Sequence, residues 1–362
     1  MLFSFFIGAC TKSYDFTFDG DTQDTALHEQ TQDIIDCVPK DPLSSQEVPP
    51  FYLGAKVFTM HPEYQSITQP EDFSALSMNS AGILFALPYG DDGEIYYPYD
   101  YFGVQYQTFE DQLCQIGNLV HTLKSAGIHI YLSIEPHYYD KSRWPELWDE
   151  GHSGPPKLTA FEDPSVLEVF LERSPDYIAE IATHMERYDV DFLAPITEPS
   201  KYFEHAPIND YMREVREAIQ NHSDPNYSGS LVWQVYGLEF HEPNWEDLLF
   251  RYDFRGYDVL GLAVLGCDQP YESWIRYMDT LLTWAQEDGV TQHMHAEFGC
   301  VGSVNSIETA QDNFNGWYNY TEPDSLGLFM LEAPHHPESE EGIMGSWMGS
   351  WIQGIAQEQG LE

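Results

Sequence analysis

The chain has 362 residues, of which 42% are hydrophobic, including 9 Trp, 24 Tyr and 21 Phe. That much apolar and aromatic surface supports a large core and excludes disorder as a description of the whole. Its 60 acidic residues against 15 Lys+Arg give a formal net charge of −45, which repels phosphate backbones and argues against a nucleic-acid partner. An acid-rich, lysine-poor surface suits high salt, where screening relieves self-repulsion. A merely acidic exported protein, a cationic partner and a shell of divalent ions are the alternatives.

Residues 1–10 read MLFSFFIGAC, a short apolar run ending in small residues before a cysteine. This resembles the remnant of a lipoprotein signal, with Cys10 as the lipid-bearing residue and a place outside the cell or on its surface. The basic stretch that normally opens such a signal is missing, and a frayed apolar N-terminus is the other reading. Ten residues are too few to span a bilayer. Residues 11–50, rich in Asp, Thr, Gln and Ser, read as an acidic flexible tether, and residues 51–362 as the folded domain. Beyond Cys10 the cysteines are Cys37, Cys114, Cys267 and Cys300. Disulfides are permitted but not required. Cys267 and Cys300 follow consecutive expected strands and could lie close together, and no CxxC pair suggests structural zinc.

Eight short apolar runs bounded by turn signals follow: Leu53–Phe58, Gly82–Leu87, His129–Ile134, Asp191–Ile196, Leu231–Val235, Val259–Val264, His293–Ala296 and Leu326–Leu331. They are apolar at most positions rather than alternating, as strands buried on both faces are. The intervals carry helical patterns. Phe109–Ser125 aligns Phe109, Leu113, Ile116, Val120 and Leu123, and Tyr271–Glu287 aligns Trp274, Ile275, Met278, Leu281 and Leu282. Ser174-Pro175 reads as an N-cap followed by a first-turn proline, opening a helix with Tyr177, Ile178, Ile181 and Met185 on one side. Eight strand-helix units predict an α/β fold of the (β/α)8 TIM-barrel type in a single domain, with a doubly wound sheet as runner-up. No GxGxxG or GxxxxGK[ST] follows an early strand, which lowers the nucleotide-binding version of that sheet.

In such a barrel the residues ending the strands face the active site. The fourth run ends in Thr197-Glu198-Pro199 and the seventh in Glu297-Phe298-Gly299. Over roughly residues 51 to 355 the sequence resembles the clan A glycoside hydrolases, whose barrels carry an acid/base glutamate after strand four, usually as Asn-Glu-Pro, and a nucleophile glutamate after strand seven. The resemblance implies that Glu198 is the acid/base and Glu297 the nucleophile of a retaining reaction on a β-linked oligo- or polysaccharide, with no cofactor. Two carboxyl groups about 5–5.5 Å apart suit retention, one ionised to attack the anomeric carbon and one protonated to serve the leaving oxygen. Thr197 stands where the family's asparagine contacts the sugar 2-hydroxyl, and its hydroxyl reaches less far.

The third run leads into Glu135-Pro136-His137. His137 is a candidate for substrate contact, or a loop histidine bonded to backbone, and Glu135 is a rival carboxylate or, as the residue before a proline on the third strand, a structural one. Trp233 and Tyr236 after the fifth run, and Glu332 after the eighth, are further substrate-binding candidates. Leu331-Glu332-Ala333 lacks the family's tryptophan after strand eight, for which Trp347 or Trp351 could substitute unless both are core. Glu332, His335 and His336 raise a rival, a metal-dependent barrel hydrolase, although no further ligands at firm spacing are evident. No GxSxG elbow supports a serine hydrolase. A carbohydrate-binding barrel lipoprotein without activity is the rival from another class.

Overall fold

The computed structural model describes residues 37–57, 69–101, 104–139, 163–202, 205–222, 225–235, 250–264, 271–299, 307–331, 343 and 346–361. In chain order its strands are β1 (Tyr52–Val57), β2 (Ser80–Tyr89), β3 (Tyr99–Tyr101), β4 (Val104–Tyr106), β5 (His129–Tyr138), β6 (Phe192–Ala194), β7 (Ser230–Val235), β8 (Val259–Val264), β9 (Gln292–Phe298) and β10 (Ser325–Leu331). Eight of them are parallel and close into a barrel in the order β1-β10-β9-β8-β7-β6-β5-β2. All eight expected runs are strands of this barrel, and Val259–Val264 keeps its expected bounds. The ends differ most at β2 and β5, which pair along their whole length from Ser80↔His129 to Tyr89↔Tyr138. The short strands β3 and β4 form an antiparallel hairpin after β2, and it packs Tyr99, Tyr101 and Tyr106 on Leu84 and Ala86.

Alternation along each strand divides the core in two. Tyr52, Tyr131, Phe192, Ala194, Val232, Val259, Met294, Ala296 and Phe329 fill the barrel interior, while the intervening residues face the helices. Among those helices, α1 (Pro70–Ala75) and α2 (Phe109–Ser125) precede α3 (Pro164–Glu186), α4 (His205–Asn221), α5 (Tyr271–Glu287), α6 (Ile307–Thr321) and α7 (Trp347–Glu358). Thr108 caps α2 by accepting from Asp111 N at 3.2 Å. The Ser174-Pro175 start is corrected: α3 begins eleven residues earlier, at Pro164 (175 − 164 = 11), capped by Asp163, and runs through Pro175. Val166 and Phe170 extend the buried stripe of Ile178, Ile181 and Met185 to the N-terminal side, and that packing outweighs the bond the proline forgoes.

Residues 37–50, within the expected tether, are tied to the barrel. A disulfide joins Cys37 to Cys114 on α2, Leu43 N donates to Arg187 O at 2.9 Å, and Gln46 N donates to Asp189 Oδ2 at 3.2 Å. Cys10, Cys267 and Cys300 lie outside the described residues. Among the described residues, no helix is long and apolar enough to cross a membrane. The Cys37–Cys114 bridge spans 77 residues of sequence, so its loss frees a long loop in the unfolded chain. Cys37→Ser is expected to lower unfolding free energy by about 2–4 kcal/mol in urea titrations. An unchanged midpoint would show that the bridge contributes nothing.

Candidate active site

An irregularity sets the placement of each expected glutamate: on β9 it turns Glu297 inward, and beside β7 it turns Thr197 inward next to Gln234, just before the backbone turn at Glu198. Leu193 pairs with Leu231 (231 − 193 = 38), whereas the bridge beyond pairs Thr197 with Gln234 (234 − 197 = 37), so the segment leading to Glu198 holds one extra residue. Likewise Leu262 pairs with His295 (295 − 262 = 33) but Ala263 with Glu297 (297 − 263 = 34). One extra residue exchanges the two faces of a strand from that point on. His295, before the shift, faces outward and stacks on Trp274 with centroids 6.1 Å apart. After it, Phe298 faces outward onto Phe314, and Glu297 reaches Lys56 inside the barrel.

Glu198 adopts φ 48° and ψ 57°, a left-handed conformation costing a non-glycine residue about 1–2 kcal/mol. Three backbone bonds hold it there. Thr197 N donates to Ile134 O at 2.8 Å, Glu198 N to Gln234 O at 3.1 Å, and Lys201 N to Glu198 O at 2.8 Å. The last closes a 3-10 turn, Pro199–Lys201, which brings the Lys201 ammonium within 3.8 Å of Glu198 Oε2. Strain of this kind persists where the surroundings over-determine it, and it gathers at functional sites.

Among the described residues, three carboxyl groups meet two ammonium groups here. Lys56 Nζ donates to Glu297 Oε1 in a buried ion pair and lies 5.6 Å from the centre of the Tyr131 ring. Gly82 makes room for it, since a Cβ at Gly82 would fall 2.6 Å from Lys56 Cγ. Lys201 Nζ donates to Glu135 Oε1 at 2.9 Å, the Tyr202 hydroxyl donates to the same oxygen, and His137 Nε2 faces Glu135 Oε2 at 3.3 Å. Burial alone would raise the Glu135 carboxyl, but Lys201, His137 and Tyr202 outweigh it and hold it well below its usual range. Glu198 moves the other way: burial first, and then the charge of Glu297, raise it well above the usual glutamate value. The arrangement therefore favours the protonated form of Glu198 beside Glu297, which is paired with lysine.

Several buried polar atoms nearby have no hydrogen-bond partner among the described residues: Ser133 Oγ, Thr197 Oγ1, Glu198 Oε1 and Gln234 Nε2. The Tyr131 hydroxyl donates to Gln234 Oε1, fixing the amide so that its NH2 is the part left over. Such groups are satisfied by ordered water or by ligand hydroxyls.

Thr197, Glu198 and Glu297 thus come together, with His137 joined through Glu135. Trp233 does not. It lies inside β7 between inward Val232 and Gln234, so alternation turns it outward, onto Phe254 at 5.3 Å and Tyr257 at 5.1 Å. Trp347 and Trp351 also belong to the outer layer, packed on Phe314 and Phe298. Tyr236, Glu332, His335 and His336 lie outside the described residues. Among the described residues no group of three or more His, Cys, Asp or Glu is placed to hold a metal ion. Lys56, Tyr131 and Lys201 were missed by sequence reasoning. A lysine inside the apolar run Tyr52–Val57 of so lysine-poor a chain is a signal that could have revealed the first.

No family model matches the sequence, and no curated protein is similar to it in sequence. The fold is shared with solved glycoside hydrolase structures. A GH113 β-mannanase from Alicyclobacillus acidocaldarius superposes with a TM-score of 0.55 at 14% identity, covering 86% of this chain and 99% of that one. An exo-β-1,4-mannosidase from Opitutaceae bacterium strain TAV5 gives 0.52 at 16% identity over 86% of this chain and 59% of that one. A Bacteroidetes-affiliated GH5 cellulase gives 0.54 at 12% identity over 86% and 91%. At these identities the likeness establishes the (β/α)8 barrel.

Removing the Lys56 ammonium leaves Glu297 buried without its cation. Lys56→Met is expected to cost about 3–5 kcal/mol in urea unfolding, and Lys56→Met/Glu297→Gln to recover much of it. Equal losses in the single and double variants would contradict the pairing.

Proposed function

We propose that this chain is a retaining glycoside hydrolase acting on a β-linked glycan, with Glu198 as acid/base and Glu297 as nucleophile. The observation that carries the reading is the contrast between the two carboxyl groups: Glu198 is buried, raised and, among the described residues, unpartnered at Oε1, while Glu297 is paired with Lys56. In the first step the Glu297 carboxylate attacks the anomeric carbon as Glu198 gives its proton to the departing glycosidic oxygen. In the second, Glu198, now a carboxylate, takes a proton from water attacking the same carbon, Glu297 leaves, and the configuration is restored. Mannanases, a mannosidase and a cellulase among the structural neighbours favour a β-1,4-linked backbone of mannose or glucose as substrate.

The same reading places the protein outside the cell, with Cys10 as lipid anchor. A disulfide between Cys37 and Cys114 suits an oxidising compartment, and the net charge of −45 suits saline surroundings.

Incubation with β-1,4-mannan and β-1,4-glucan oligosaccharides at low and high salt, followed by NMR of the first-formed anomer, tests the assignment. The β-anomer is expected first, and Glu198→Gln is expected to lower kcat by about 10²–10⁴-fold on substrates with poor leaving groups. Inverted product would contradict the double displacement. Glycan binding without turnover would favour a carbohydrate-binding barrel instead.

A further inference from the structure

Lys201 stands between two carboxyl groups and is not shared equally. Its ammonium is 2.9 Å from Glu135 Oε1 and 3.8 Å from Glu198 Oε2. The turn that starts at Pro199 ties Lys201 to Glu198 through the backbone, so a lysine three residues on is held beside the acid whatever else surrounds it. An ammonium paired directly with the acid would draw off its proton. Glu135 is placed to prevent this: β5 runs on to Tyr138, carrying Glu135 past the point where Ile134 O accepts from Thr197 N. The Tyr202 hydroxyl and His137 Nε2 then complete the surroundings of its carboxylate, and Tyr99 OH lies 3.3 Å from His137 Nδ1.

We propose that Glu135 and Lys201 are a pair of positioning residues that set the proton affinity of Glu198, with Glu135 diverting the lysine from the acid. This rests on the reading of Glu198 as acid/base. The charged and titratable groups around Glu198 are Lys56 from β1, Tyr131, Glu135 and His137 from β5, Glu297 from β9, and Lys201 and Tyr202 from its own segment. Lys56 and Lys201 offset Glu297 and Glu135, so burial decides in favour of the protonated acid. Removing the Glu135 charge leaves an ammonium in excess and favours the Glu198 carboxylate. Removing the Lys201 charge leaves a carboxylate in excess and favours the acid. The diverted lysine also keeps the carboxylate form accessible for the second step, when Glu198 acts as base.

The test is the pH profile of kcat/KM for wild type, Glu135→Gln, Lys201→Met, the double variant and Lys201→Arg. The alkaline limb is expected to move down by about one pH unit in Glu135→Gln and up by about one in Lys201→Met. It should return near its original place in the double variant and stay there in Lys201→Arg. Residues that merely support the fold would lower rates without moving the limb, and coincident limbs across the set would overturn the proposal. Infrared titration of the protonated-carboxyl band, with Glu198→Gln as blank, reads the same shifts without a substrate. If no glycan is hydrolysed yet the infrared midpoint moves with Glu135→Gln, the enzymatic reading fails and the pair stands. If wild type is active and the midpoints coincide, the pair fails alone.

Discussion

Glu135, Glu198 and Glu297 are gathered at the C-terminal ends of the barrel strands with two ammonium groups, Lys56 and Lys201, among the cations that face them. Burial makes an uncompensated carboxylate costly, so a carboxyl without a cation of its own retains its proton. Glu297 is held by Lys56 and Glu135 by Lys201, Tyr202 and His137, which leaves Glu198. The proposed division of labour between acid and nucleophile rests on this charge balance, since the two glutamates as residue types are identical.

The balance depends on backbone features that place each group. The extra residue before Glu297 turns its side chain to the inside, the one before Glu198 turns Thr197 inward beside Gln234, and Gly82 leaves the volume that the Lys56 stem occupies. Glu198 is further held in a left-handed conformation by bonds from both neighbouring strands. These features make the end of the barrel a strained, polar site on a regular apolar scaffold, the division of roles usual for this architecture.

The barrel was legible because its signal is repeated: eight apolar runs of similar length, separated by amphipathic stripes, leave few other ways to bury them. The meeting of Glu198 and Glu297 at one end of the barrel was legible because each stands where a run stops. Trp233 was misplaced because it was counted with the residues that follow the run although the run Leu231–Val235 contains it, and alternation inside β7 turns it outward. The Ser174-Pro175 start failed because local capping chemistry was weighed above a stripe that continues on both sides. Lys56 and Tyr131 act through contacts with distant residues, Glu297 and Gln234, and no spacing in the sequence encodes those meetings. The two extra residues are equally hidden, since a strand with one residue too many reads like any other.

The most direct test of this account is a neutron structure of the deuterium-exchanged protein at neutral pH, which locates the proton among the three carboxyl groups. The account predicts deuterium on Glu198, with Glu135 and Glu297 ionised beside deuterated Lys201 and Lys56. Deuterium on Glu297 or Glu135, with Glu198 ionised, would contradict it and exchange or abolish the assigned roles.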